Sequence, residues 1–316
     1  MPQKIIFMYS GQGSQYFHMG SDLFENHQLF REQIFFLNDI VSGIIGESVI
    51  DQIYSKAKKK SELFNRTLYT HPAIFMVEMA LTRVLLDEGI TPDYVFGSSM
   101  GEFASAACSG VMELEGIIDI LMKQAQALEL CPKGGMLAIL EKPALYYNEA
   151  MLCEHSELAG INFDSHFVVS GNDDSLKNII AFLKAKSINY QLLPVLQAFH
   201  SSLIEPAGYT FVNYLAQKDF EKPQKRFISG VYGKEIADIS DTYLWEIVRK
   251  PIQFQEAVRA LEQNNNYIYI DLGPSGTLAT FLKYNLKQES DSKTFGIITP
   301  FGQDLKNLHK MHDFLL

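Results

Sequence analysis

The stretch Asp93-Tyr94-Val95-Phe96-Gly97-Ser98-Ser99-Met100-Gly101-Glu102-Phe103 constrains this chain more than any other. Tyr94, Val95 and Phe96 predict a short buried strand, and Gly97 to Gly101 a sharp turn. From Glu102 onward the small residues Ala104, Ser105, Ala106 and Ala107 predict a helix. Strand, G-x-S-x-G and helix in that order form a nucleophile elbow, which lifts a serine hydroxyl clear of the backbone at the end of a sheet strand. The register selects Ser99, since Ser98 would need glycine at position 96, where Phe96 stands. The next amide, that of Met100, falls beside the oxygen that would become negative on attack. A structural Ser/Gly turn before a helix has the same local pattern, so a base elsewhere in the chain must decide between the two.

The same design recurs. Lys4 to Tyr9 reads as a buried strand that empties into Ser10-Gly11-Gln12-Gly13-Ser14-Gln15. Glycines there let backbone amides turn toward a ligand, but no Gly-Lys-Ser/Thr follows, so the loop is not a P-loop. Tyr267 to Asp271 likewise opens into Leu272-Gly273-Pro274-Ser275-Gly276. Helices are expected over 72–88, 114–130, 201–217, 241–249 and 253–264, and further strands over 226–229 and 294–298. Alternation of this kind gives an open, mostly parallel sheet with helices on both faces. Between Lys133-Gly134-Gly135 and Leu196 the texture changes to β-α-β-β-α-β, with strands at 136–140, 159–163, 167–170 and 189–196 and helices near 143–151 and over 174–186. That order predicts a small ferredoxin-like domain, residues 133–197, inserted into a large α/β domain made of 1–132 and 198–316.

Bulk properties narrow the function. A formal net charge of −10 argues against nucleic acid as a partner. The N-terminal Met1-Pro2-Gln3-Lys4 carries no secretory pattern, and no apolar run reaches the roughly 18 residues a membrane span needs. Three cysteines, Cys108, Cys131 and Cys153, have no metal-site spacing and cannot pair evenly. The expectation is a cytoplasmic protein with no membrane segment, no metal and no bound cofactor.

A serine needs a base within hydrogen-bond reach. Of eight histidines, His18, His27, His155, His309 and His312 sit in polar or terminal contexts, and His166 lies in a strand. His200, in Gln197-Ala198-Phe199-His200-Ser201, falls past a strand end at the seam of the two expected domains, where α/β enzymes place their chemistry. A buried core histidine is the alternative at that position.

Ser10–Gln15, the elbow at 97–102, Ala198-Phe199-His200-Ser201 and Asp271-Leu272-Gly273-Pro274-Ser275, in this order and at these spacings, resemble the malonyl-CoA:acyl carrier protein transacylase family, including the acyltransferases of polyketide synthases. The resemblance runs nearly the whole chain and implies an α/β-hydrolase-like large domain. It implies Ser99 as nucleophile and His200 as base and acid, with the amides of Gln12 and Met100 as the oxyanion hole. The carbonyl of Lys250, before Pro251, would orient the histidine in place of a triad aspartate.

The departures from the family pattern carry information. Where these transferases hold the malonyl carboxylate with an arginine, this chain has Gln124, and Lys123 points roughly 100° away around the same helix. A neutral amide cannot reproduce a bidentate, charge-assisted pair, and a buried carboxylate without its partner is penalised by roughly 3–5 kcal/mol. A malonyl group is therefore expected to be a poor substrate, even though Ala198–Ser201 resembles the malonyl-type segment. Ser98 replaces the usual histidine before the nucleophile, and His71 the usual glutamine before Pro72. The expectation is that Gln124, His71, Phe199 and Ser98 border an acyl pocket, with His71 filling room left by Ser98 or the two changes being unrelated drift.

This set of departures is similar to that of the trans-acting acyl hydrolases of trans-acyltransferase polyketide synthases, which remove stalled acyl groups such as acetyl from carrier proteins. The resemblance implies a proofreading enzyme of antibiotic or other polyketide biosynthesis whose partner is an acyl carrier protein domain and whose substrate rides on phosphopantetheine. A transferase for neutral acyl groups shares the same acyl-enzyme and stays open, as does a silent docking scaffold. Lys56–Lys60, or Lys222, Lys225 and Arg226, are candidate patches for an acidic carrier protein.

Overall fold

A computed structural model describes residues 3–263 and 265–315. Met1 and Pro2, part of the N-terminal reading, and position 264, the end of the expected helix 253–264, lie outside the described residues. The first part of the chain runs β1 (Lys4–Tyr9), α1 (Ser21–Asn26), α2 (Gln28–Ile45), α3 (Val49–Ile53), α4 (Thr67–Asp87), β2 (Tyr94–Gly97), α5 (Gly101–Cys108) and α6 (Leu114–Glu129). A second segment follows with β3 (Gly135–Ile139), α7 (Ala144–Asn148), α8 (Ala150–Cys153), β4 (Glu157–Phe163), β5 (His166–Gly171), α9 (Asp173–Ala185) and β6 (Tyr190–Leu192). The chain then returns through α10 (Glu205–Leu215), β7 (Arg226–Ser229), β8 (Lys234–Ile236), α11 (Tyr243–Arg249), α12 (Phe254–Leu261), β9 (Tyr267–Asp271), α13 (Thr277–Asn285), β10 (Lys293–Gly296) and α14 (Asp304–Leu315).

Six strands form the large sheet in the order β10-β9-β1-β2-β7-β8, parallel except for β8, which runs antiparallel to β7. The central strands β1, β2 and β9 are almost wholly buried and apolar, as strands covered on both faces must be. One large cluster, including Phe7, Phe75, Phe103 and Phe227, packs helices on one face. Phe96, Phe254 and Tyr269 belong to a second cluster on the other face. The four remaining strands form an antiparallel sheet, β4-β5-β3-β6, whose own core includes Leu137, Phe167, Val169 and Ile179. The fold is thus α/β with a mostly parallel sheet and a smaller antiparallel one, as the sequence pattern predicts.

Two of the differences from the sequence reading have local causes. Helix α4 starts at Thr67 rather than at Pro72, so a proline sits inside it; there it removes a donor and crowds the carbonyl of Leu68, and the burial of nearly all of residues 67–85 offsets that cost. Strand β6 stops at Leu192 instead of 196, two residues before Pro194, which cannot donate to a ladder. Helices α13 and α14 and strand β8 were not expected from the sequence. Among the described residues no helix is long and apolar enough to cross a membrane.

The two sheets are stitched together where they meet. Gly160 of β4 bridges Ile252, whose amide donates to the Ala159 carbonyl at 2.8 Å and whose carbonyl accepts from the Ile161 amide at 3.1 Å. Asn285 on α13 donates to the Asn162 carbonyl at 2.7 Å. The C-terminal ends of β1, β2 and β9 open toward this seam.

Candidate active site

Ser99 and His200 both have positive φ, 54° and 60°, a region costly for non-glycine residues that persists only where the surroundings enforce it. At Ser99 the enforcement comes from the elbow. A Cβ at Gly101 would lie 2.1 Å from the Tyr9 carbonyl oxygen, so only glycine lets α5 start against the end of β1. A Cβ at Gly11 would lie 2.7 Å from the Ser98 oxygen and 3.3 Å from the Met100 nitrogen, so the 10–15 loop is pressed onto the same turn. At His200 the backbone amide donates to the Val248 carbonyl at 2.7 Å, and Ser170 of β5 donates to the neighbouring Phe199 carbonyl.

The two side chains meet. Ser99 Oγ lies 2.8 Å from His200 Nε2, and His200 Nδ1 lies 2.7 Å from the Lys250 carbonyl oxygen. A carbonyl only accepts, so Nδ1 carries the proton and Nε2 presents its lone pair to the serine. Burial pushes the His200 pKa down to about 4; the nearby Arg249 charge acts in the same direction, while the bond to Lys250 opposes them. The imidazole is therefore neutral at ordinary pH and able to take a proton. Neither the Gln12 nor the Met100 amide has a hydrogen-bond partner among the described residues. Free amides beside a serine oxygen are what a developing oxyanion needs.

The loop bearing Gln12 is braced from below. Glu78 Oε1 accepts from the Ser10 amide at 2.6 Å, and the single Ser10 hydroxyl proton is shared between Ser14 Oγ at 2.9 Å and Glu78 Oε1 at 3.2 Å. Burial raises the Glu78 pKa well above its ordinary value. Sequence reasoning passed over Glu78, although a lone acid within the apolar run Ala73–Leu81 was a usable signal. It also passed over Glu102, buried on the first turn of α5 and bonded by the Tyr243 hydroxyl of α11.

A cavity of about 330 Å³ occupies the seam. Gln12, Ser98, Ser99, Phe199, His200, Ile252, Leu278 and Phe281 line it from the large sheet's side, and Met136, Ala138, Gly160, Asn162, His166, Val168 and Leu193 from the small sheet's side. No lysine or arginine is among its lining residues. Asn162 and His166 were not singled out as site residues; their side chains lie 3.1 Å apart at Nδ2 and Nδ1.

Two expectations need correction. Gln124 and His71 are fully buried and do not line the cavity. Gln124 Nε2 donates to the Leu244 carbonyl at 3.2 Å, and His71 packs behind Phe199 with ring centroids 5.9 Å apart. Both sit on helices, α6 and α4, whose packing turns these positions inward, a direction spacing alone does not fix. Lys123 is exposed as expected, its Nζ 6.0 Å from the Tyr214 ring centroid. Lys222 and Arg226 are paired with Asp238 and Glu235, and Lys58 with Glu62, so the basic stretches are partly neutralised on their own surface. Among the described residues no group of three or more His, Cys, Asp or Glu is placed to hold a metal ion.

The chain has relatives among known proteins. The polyketide biosynthesis acyltransferase homolog PksD of Bacillus subtilis is 46% identical over 315 residues, covering 99% of this chain and 97% of that one. Its counterpart BaeD of Bacillus velezensis is 44% identical over 317 residues, covering 100% and 98%. Among solved structures, MCAT from Streptococcus pneumoniae matches with a TM-score of 0.80 at 26% identity, over 98% of this chain and 100% of that one. A loading acyltransferase from the avermectin modular polyketide synthase matches with a TM-score of 0.88 over 98% and 99%; at 22% identity this likeness speaks for the fold. The acyl transferase domain family matches residues 6–316, and with relatives this similar along their whole length, the chain belongs to that family.

Proposed function

We propose that the protein hydrolyses small neutral acyl groups from the phosphopantetheine thioesters of acyl carrier proteins, through an acyl-enzyme on Ser99. The observation that carries the chemistry is the 2.8 Å contact between Ser99 Oγ and a His200 Nε2 whose tautomer the Lys250 carbonyl fixes. In the first half-reaction Ser99 Oγ attacks the thioester carbonyl while His200 Nε2 takes its proton. The oxyanion accepts from the amides of Gln12 and Met100, a feature generally worth about 3–4 kcal/mol per donor. The C–S bond then breaks and His200 returns the proton to the departing thiolate. In the second half-reaction water gives a proton to His200 and its oxygen to the acyl carbon; the Ser99 ester breaks as His200 returns that proton to Ser99 Oγ, and the free acid leaves.

Support for a neutral acyl group comes from charge. The cavity has no cationic lining residue, and Gln124, at the family's arginine position, is committed to a backbone carbonyl. A carboxylate carried into the seam would find no counter-ion. The carrier-protein partner is supported by the relatives named for polyketide biosynthesis. Those names also favour a second reading, acyl transfer of neutral groups, since one acyl-enzyme serves both outcomes.

The deciding experiment is intact-mass spectrometry of an acetyl-loaded carrier protein with the enzyme, with and without an unloaded second carrier. Equal rates of acetyl loss in the two samples, with free acetate appearing, are expected. Acetyl that stays until the second carrier arrives and then moves onto it would remove hydrolysis and leave a neutral-acyl transferase. A Ser99→Ala variant of undiminished activity would remove both.

A further inference from the structure

Leu244 lies on α11, and its carbonyl can only accept, so the Gln124 group facing it at 3.2 Å is the amino group. Gln124 Oε1 therefore points the other way. It is buried without a hydrogen-bond partner, as is His71 Nε2. Burial keeps that imidazole neutral, so one ring nitrogen carries a proton and the other does not. An amino group only donates, so the ring nitrogen that faces one must keep its lone pair and leave the proton to the other nitrogen. Gln12 Nε2 stands 2.6 Å from Nδ1 and must donate to it. The same amino group lies 2.9 Å from Thr70 Oγ1, and the Thr70 hydroxyl donates back to Gln12 Oε1 at 3.1 Å.

We propose that His71 is a positioning residue: with its proton on Nε2 and its Nδ1 accepting from the Gln12 side chain, it ties that side chain to α4 and so holds the Gln12 amide opposite Met100. This rests on the proposed role of the Gln12 amide as an oxyanion donor. Its consequence is that α4, through His71, steadies the oxyanion loop, while the Val248 and Lys250 carbonyls hold the backbone and ring of His200.

Two measurements test it. The first is long-range 1H–15N correlation of the imidazoles in the whole protein, assigned through His71→Asn; an Nε2–H tautomer for His71 is expected, and an Nδ1–H tautomer would overturn the proposal without reference to activity. The second is the rate of Ser99 acylation by an acetyl thioester of a short pantetheine-like thiol. His71→Ala and Gln12→Ala are each expected to lower the saturated rate by about tenfold or more, less than outright loss of an oxyanion donor, with KM moving little. The double variant should be no slower than either single one, because the two residues act as a unit. His71→Asn, whose Oδ1 takes the place of Nδ1 toward Gln12, should recover most of the rate. Additive losses, or an Asn variant as slow as Ala at an equal melting temperature, would overturn it. Should His71→Ala fail to fold, Gln12→Ala and His71→Asn decide alone. A wild-type acyl-enzyme that forms but releases acetyl only to a second thiol sinks hydrolysis and leaves this proposal standing, whereas a wild type never acylated on Ser99 sinks both.

Discussion

His200 and Gln124 show how much a single buried position decides. Because burial brings the His200 pKa down to about 4, the base is neutral above that value and is lost as pH falls through it. The acylation rate is expected to rise with pH around 4 and to be level from about 6 upward, well below the range of a free imidazole, in stopped-flow measurements with an acetyl thioester. A midpoint near 6.5 would mean that water reaches the ring before reaction. At Gln124 the obvious engineering step fails. Gln124→Arg puts a guanidinium at a fully buried position away from the cavity. The variant is expected to lose on the order of 3 kcal/mol of stability in a denaturant titration and to gain no acylation by malonyl thioesters. Efficient malonyl acylation by this single variant would mean that the guanidinium reaches the cavity.

Helix α5 contributes more than the elbow serine's setting. Glu102, on its first turn, is fully buried, and burial raises its pKa to about 8 despite the Tyr243 hydroxyl that donates to it. Between the ordinary value of 4.5 and about 8 the folded protein keeps this proton while the unfolded chain loses it. The unfolded state then binds fewer protons, so stability falls as pH rises across that window. Asp271 and Asp304, both raised to about 6 by burial, tilt the curve the same way, which makes the difference between proteins the quantity to read. Glu102→Gln is expected to flatten the decline between pH 5 and 8, and its melting temperature should gain on wild type as pH rises. Parallel melting curves across that range would show that Glu102 is ionised in the fold. Elements were also what the sequence conveyed best. β1, β2 and β9 end in glycine turns that local pattern alone exposes; Ser99 was legible from the end of β2, and His200 from its place past an expected strand at the seam of the two segments. Helices α13 and α14 and the inward faces of α4 and α6 were not, because what turns Gln124 and His71 away from the cavity is contact with α11 and the 10–15 loop, distant in the chain.

At the scale of the molecule, chemistry and shape are divided between two sheets. The large sheet supplies the Ser99–His200 contact and both free amides, while the small one supplies the opposite wall with Met136, Val168, Asn162 and His166. The antiparallel segment leaves and rejoins the chain at one place, where the Gly134 amide donates to the Leu196 carbonyl at 3.1 Å. A segment whose two ends touch is an exchangeable cassette: replacing what lies between those ends changes the wall of the cleft without lengthening or shortening the path of the surrounding chain. Exchange with the matching segment of a relative is expected to preserve Ser99 acylation by a small thioester while altering the ranking of carrier proteins, read by competition between two loaded carriers in one mass spectrum. In this architecture new tastes in substrate are acquired by trading the wall and leaving the catalyst in place.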